Sequence, residues 1–109
     1  MNYSFNALGS RELSLLDGGT VIVALSGPTI EEGEDDYRCN YEITGLRTEE
    51  KGRVFGSDAL QALQLALIRI GAILYTSEEW RGNLLTWNGD AELGFPLPES
   101  LKDLKPGSI

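Results

Sequence analysis

Five carboxylates fall within six residues at Glu31, Glu32, Glu34, Asp35 and Asp36, the densest run of ionisable groups in this 109-residue chain. Hard cations such as calcium take oxygen ligands, so a metal loop is the first chemistry to test. The spacing of an EF-hand loop is absent, and no glycine stands where that loop needs one. No metal site is therefore expected. The run is expected to be a solvated turn or an acidic docking edge for a cationic partner.

A second cluster is Glu78, Glu79, Trp80 and Arg81, with Trp87 close behind. Tryptophan and arginine are enriched at binding hot spots, so Glu78, Glu79 and Trp80 form a second candidate recognition patch. The competing expectation is that both tryptophans close the end of the core. Two adjacent carboxylates can do acid–base work, but no nucleophile or cofactor motif stands near them. Cys39 alternates in phase with Tyr37, Tyr41 and Ile43, which puts it on a buried face as an inert small hydrophobe. Arg47, Lys51 and Arg53 sit among Glu49 and Glu50, a mixed-charge pattern typical of a solvated surface. Neither GxxxxGK[ST] nor GxGxxG occurs. We expect no catalytic residue and no cofactor.

Composition narrows the chemistry further. The chain has no histidine, which removes Ser-His-Asp and Cys-His catalysis and His-ligated zinc or iron. One cysteine forbids an internal disulfide and suits the cytosol. With 17 Asp+Glu against 9 Lys+Arg the net charge is −8. That balance argues against binding a nucleic-acid backbone, which is dominated by cations on phosphates. The opening residues lack a basic region followed by an apolar one, so no signal peptide is expected and a cytoplasmic location is. The run Ala59 to Tyr75 contains Gln61, Gln64 and Arg69 and falls short of the ~20 residues a bilayer demands. Arg69 alone would cost ~2.5–3.5 kcal/mol near the bilayer centre. A buried helix is the better expectation, with no membrane partner.

These residues must be positioned by a single domain, since the length suits one core. Tyr3, Phe5 and Ala7 alternate with Ser4, Asn6 and Leu8 until Gly9-Ser10, read as a break; Leu13 and Leu15 then alternate with Glu12 and Ser14. Asp17-Gly18-Gly19 is a turn signal. Thr20 to Leu25 is apolar on both faces and rich in β-branched residues, which predicts a central strand buried on both sides. The alternation at 37–44 predicts a half-buried antiparallel strand, and Arg53-Val54-Phe55 a further short run.

A helix is expected from Ser57 or Asp58, with Asp58 as N-cap and Gln61 at N3. Leu60, Leu63, Leu67, Ile70 and Leu74 recur at spacings of three and four, Ala59, Ala62, Ala66 and Ile73 fill beside them, and together they predict a wide buried stripe that leaves Gln61, Gln64 and Arg69 to water. Gly71 inside it suggests close approach to a strand. Asn88-Gly89, between Leu84–Trp87 and Asp90–Leu93, is a strong type I′ hairpin signal. The predicted fold is α+β: an antiparallel sheet of four or five strands from residues 2 to 56, one long helix packed on one face, and a C-terminal β-hairpin. Residues 1–98 form the domain; residues 99–109 are expected to be a peripheral or disordered tail.

The run from Asp58 through Ile70-Gly71-Ala72, then Trp80, Leu85-Thr86-Trp87 and Leu93-Gly94-Phe95-Pro96-Leu97-Pro98, resembles a group of small uncharacterised bacterial proteins. The likeness covers residues 57–98. It implies a bacterial origin and an α+β domain, and carries no activity or catalytic residue with it.

Small size, acidity and the lack of a recognisable active site together point to a non-catalytic protein-binding module. Its most concrete form is an immunity or inhibitor protein that occludes a basic bacterial toxin, with the acidic residues steering association. The alternatives are a homo-oligomeric or accessory subunit that buries the tryptophan hairpin, and a phage-type inhibitor mimicking nucleic-acid charge. An enzyme working through carboxylates alone would need a concave pocket holding one with a raised pKa.

Overall fold

The computed structural model describes residues 7–104. Five strands form one antiparallel sheet: β1 (Ala7–Leu15), β2 (Thr20–Ser26), β3 (Tyr37–Thr44), β4 (Glu50–Gly56) and β5 (Leu85–Thr86), in the order β4-β3-β2-β1-β5. Two helices, α1 (Ala59–Tyr75) and α2 (Glu78–Arg81), stand between β4 and β5, and a 3-10 turn follows at Glu99–Leu104. The α+β architecture thus holds, with the fifth strand coming from beyond the long helix.

Period-two alternation sets the sheet's two faces. Leu13, Val21, Val23, Leu25, Cys39, Tyr41 and Ile43 are buried and share one core cluster with residues of α1. Their neighbours along the strands, Glu12, Ile22, Glu42, Lys51, Arg53 and Phe55, face the other way by register. Thr20 to Leu25 is therefore covered on one side only, contrary to expectation. Ile22 stays 46% exposed, because the described chain supplies a single covering layer.

Gly9-Ser10 does not break the first strand either. β1 is continuous, and the disturbance is a register shift against β2 between Ala7 and Gly9. The expected strand residues Tyr3 and Phe5 lie outside the described residues. β4 is longer than Arg53-Val54-Phe55 because charged Glu50 and Lys51 pair with Ile43 and Glu42 of β3. Charge does not prevent pairing on a solvated edge.

The helix begins as its sequence dictates. Asp58 Oδ1 accepts from Gln61 N at 2.8 Å, and the Gln61 carboxamide oxygen accepts in turn from Ser57 N at 2.7 Å. Its buried stripe is largely the expected one: Ile70 and Leu74 are buried, Leu63, Leu67 and Ile73 pack partly buried against the core, and Gln61, Gln64 and Arg69 are exposed, while Leu60 alone of the five stripe residues departs. Ala62, Ala66, Ile70, Gly71, Leu74 and Tyr75 are buried, while Leu60 is 77% exposed and Leu65 faces water. Small residues face inward because the backbone passes close: a Cβ on Gly56 would stand 2.4 Å from Ala62 N. α1 lies against β3 and β4, and following β4 directly it runs back along it.

β1 and β2 are served instead by the chain after β5, whose Leu93, Phe95 and Leu97 are buried in the same core. Gly71 makes its close approach here, not to a strand: a Cβ on it would lie 2.0 Å from Pro96 O. Asn88 (φ 54) and Gly89 (φ 81) form the expected tight turn, closed by Trp87 N→Asp90 O at 2.8 Å and Asp90 N→Trp87 O at 2.9 Å. Pairing stops at that bridge. Beyond it the backbone is held by side chains: Trp80 Nε1 donates to Ala91 O at 2.9 Å, Leu93 N to the Tyr75 hydroxyl at 2.8 Å, and Arg11 Nη1 to Leu93 O and Gly94 O at 3.2 Å each. Three tertiary partners thus take the groups a second hairpin strand would use. In the segment assigned to the tail, Leu101 packs against the core.

Candidate functional site

The acidic run occupies the β2–β3 connection at one end of the sheet. Gly27-Pro28 ends β2, and Thr29 pairs back with Arg38 through Thr29 N→Arg38 O at 2.9 Å and Arg38 N→Thr29 O at 2.7 Å. This bridge closes the loop's neck and projects residues 30–36 outward. A turn within it is held by Glu34 N→Glu31 O at 2.9 Å, with Gly33 at φ 86. All five carboxylate residues are exposed, and Glu31 pairs with the Arg38 guanidinium. Glu32, Glu34, Asp35 and Asp36 have no ion-pair partner among the described residues. Four unpaired negative charges on a narrow projection form a concentrated source of potential, attenuated by salt.

The second candidate patch sits at the opposite end, where α1 gives way to α2. Ser77 caps α2 by accepting from Trp80 N at 3.2 Å. Glu78 and Glu79 are spent on the β3–β4 turn: Arg47 Nη1 donates to Glu78 Oε1 at 2.8 Å and Arg47 N to Glu79 Oε2 at 2.7 Å. Trp80 is half-buried, edge-on to Tyr75 with ring centroids 4.8 Å apart, besides its bond to Ala91 O. It closes the core, as the competing expectation had it. A half-open cleft of about 460 Å³ lies here, lined by Leu46, Arg47, Glu50, Ile73, Glu78 and Glu79 among others.

The structure therefore separates the two patches. Loop 31–36 precedes β3 and the Arg47 turn follows it, so a strand of eight residues, about 25 Å at 3.3 Å per residue, lies between them. They do not form one contiguous acidic surface. Among the described residues, no three Asp, Glu or Cys side chains converge as a metal site requires. Among the same residues, no helix is long and apolar enough to cross a membrane.

Sequence reasoning missed Arg11. Its guanidinium carbon lies 3.9 Å from the Trp87 ring centroid and 4.8 Å from that of Phe95, while Nη1 binds two carbonyls. An arginine in an otherwise inward phase between Gly9 and Leu13 was the available signal. Tyr75 was likewise hidden within the apolar run. Its buried hydroxyl donates to Glu92 Oε1 at 2.6 Å and accepts from Leu93 N. Burial first, then the adjacent Glu92 carboxylate, pushes this phenol far above its ordinary value of 10.0. Burial also raises the Cys39 thiol above 9.0, consistent with an inert core residue.

A family model described as a domain of unknown function (DUF6968) matches residues 9–97, well beyond the span 57–98 that carries the resemblance. No curated protein and no solved structure matched the chain.

Proposed function

For this chain, which belongs to the DUF6968 family of unknown function, we propose a non-catalytic role: binding a basic partner protein through the acidic loop 31–36. In its most concrete form the protein is a cytoplasmic bacterial immunity or inhibitor protein, and the partner a toxin whose working surface is cationic. The sheet, with α1 packed on one face and the C-terminal turn behind it, serves as the rigid scaffold. One observation carries the reading: Glu32, Glu34, Asp35 and Asp36 project on a loop with a closed neck and have no ion-pair partner among the described residues. Such an arrangement raises association rates by about 10–10³-fold for an oppositely charged partner and loses that advantage in salt. Glu78, Glu79 and Trp80 support the reading less, since each already serves an internal contact.

The test is capture from the native host on the immobilised chain and on a variant carrying Glu32→Lys, Glu34→Lys, Asp35→Lys and Asp36→Lys. The expected result is a basic protein retained by the first and lost from the second, with slower association and a flatter salt dependence for the variant. Equal association by both chains removes the loop from the interface. Turnover of a small molecule, abolished by altering one carboxylate in a folded variant, overturns the non-catalytic reading.

A further inference from the structure

The sheet ends in an open edge at β4. In the order β4-β3-β2-β1-β5 this strand pairs with β3, and its free side has no strand partner among the described residues. The described chain begins in β1, three strands or about 14 Å away. Its last turn, Glu99–Leu104, stands by Gln64 and Ile68 on another face of α1.

Two arginines flank this edge, one on each side of the sheet. Arg53 projects from the outer face of β4, where the residue opposite it on β3 is the neutral Asn40. Arg69 projects from α1, on the inner side. Leu65, Arg69 and Ile73 form one i, i+4 row beside the buried Ala62, Ala66 and Ile70. Ile73 shares the cleft at the start of β4 with Glu50, so this row lies on the β4 flank of the helix. Gly71, against Pro96, marks the opposite flank.

Helix and strand also set the two arginines level. Ala62 meets Gly56. From there α1 rises about 10 Å to Arg69 at 1.5 Å per residue, and β4 runs back about 10 Å to Arg53 at 3.3 Å per residue. The same measure sets Leu65 level with Phe55. Phe55 is 46% and Leu65 38% exposed, so an apolar pair stands next to the cationic pair along the edge. The chain holds 17 Asp+Glu against 9 Lys+Arg, yet neither Arg53 nor Arg69 has an ion-pair partner among the described residues.

A strand added to an open edge gains backbone hydrogen bonds, and its successive side chains fall on opposite faces. Two consecutive carboxylates then meet Arg53 on one face and Arg69 on the other. Two apolar residues before them meet Phe55 and Leu65. A second β4 does not fit, because antiparallel pairing centred on any residue from Lys51 to Arg53 sets cation against cation.

We propose that the β4 edge is a docking site for an extended acidic segment of another protein, added antiparallel as a sixth strand, with two adjacent carboxylates held between Arg53 and Arg69. The net charge of −8 resists such a segment at long range. At physiological salt that field fades over about 8 Å, so the nearest charges decide, and those are cations. This edge lies outside loop 31–36 and takes a partner of the opposite charge, so the two readings fail independently.

The test uses an amidated octapeptide, fluorescein-labelled at its N-terminus, with two valines then two glutamates at its centre and threonines on either side. Its anisotropy is titrated with the full chain, beside the same peptide carrying glutamines or lysines in place of the glutamates. Saturable binding of the glutamate peptide is expected, at least tenfold tighter than that of the glutamine peptide. Arg53→Glu and Arg69→Glu should each weaken it at least tenfold, and the double variant should prefer the lysine peptide. Both arginines are exposed, so the variants should fold as wild type, which circular dichroism checks. Arg53→Gln and Arg69→Gln serve where a reversal unfolds the chain. Arg81→Glu, at an exposed arginine of α2, should leave binding unchanged. Amide exchange of β4 should slow in the complex. Lack of saturable binding overturns the proposal, as does equal binding of the glutamine peptide, indifference to both arginine changes, loss on Arg81→Glu, or protection that bypasses β4.

Discussion

At the scale of single residues, the side chains that do most for this protein are not those its sequence advertises. Arg11 stacks between Trp87 and Phe95 and binds two carbonyls, tying the chain after β5 to β1. Cation–π contacts contribute ~0.5–1 kcal/mol each and charge-assisted hydrogen bonds somewhat more, so Arg11→Ala should cost about 2–3 kcal/mol in urea unfolding. Arg11→Lys should recover less than half of that, since an ammonium cannot stack on two rings in the same way. Tyr75→Phe leaves Leu93 N without its acceptor and should cost about 1–3 kcal/mol. The raised phenol also sets a pH response. Its stabilising contribution is complete below the unfolded value of 10.0 and declines as pH climbs toward the higher folded value. Wild-type stability should therefore fall above about pH 10, by up to ~1.4 kcal/mol per pH unit from this group, and Tyr75→Phe should lack that component. Urea melts of both chains across that range check it. Cys39, fully buried, should react with a thiol reagent only at the rate of unfolding.

At the scale of elements, backbone proximity overrides helix propensity. Alanine is preferred to glycine inside a helix by ~1 kcal/mol, yet Gly71→Ala places a methyl 2.0 Å from Pro96 O. We expect a net loss of about 1–3 kcal/mol, because the obstacle is backbone and not the end of a flexible side chain. Leu60→Gln should be neutral within about 0.5 kcal/mol in the same unfolding assay, since the side chain already faces water. These two results together report which side of α1 is packed and which is open to water. The hydrophobic pattern gave the buried side, with Ala62, Ala66, Ile70 and Leu74 at its centre, but a wide stripe does not say where its margin falls, and Leu60 lies beyond it. The close passage of Gly56 against Ala62 centres the contact on the small residues of the stripe.

At the scale of the whole molecule, charge is distributed as two separate acidic ends. Neutralising Glu32, Glu34, Asp35 and Asp36 to their amides should leave thermal stability within about 0.5 kcal/mol of wild type, because exposed charges without partners contribute little to folding. The same four changes should lower the association rate with a cationic partner several-fold at low salt and hardly at all at high salt. Stopped-flow mixing at two ionic strengths checks this. A loop retained for its fold would behave in the opposite way on both counts.

Much of this protein was legible as local pattern. The antiparallel strand at 37–44, the Asp58 cap, the Asn88-Gly89 turn, the burial of Cys39 and the exposure of the acidic loop each follow from a few consecutive residues, because alternation, capping and turn geometry are short-range properties. What tertiary structure alone decided was which surface meets which. Nothing local says that a single layer covers the sheet and leaves Ile22 in water. Nor does it say that α1 leaves Leu60 in water, that Arg11 finds two aromatic rings more than seventy residues away, or that the two acidic clusters stand at opposite ends of β3. Those outcomes rest on distances between segments remote in sequence, and packing, unlike periodicity, is set by all the segments at once.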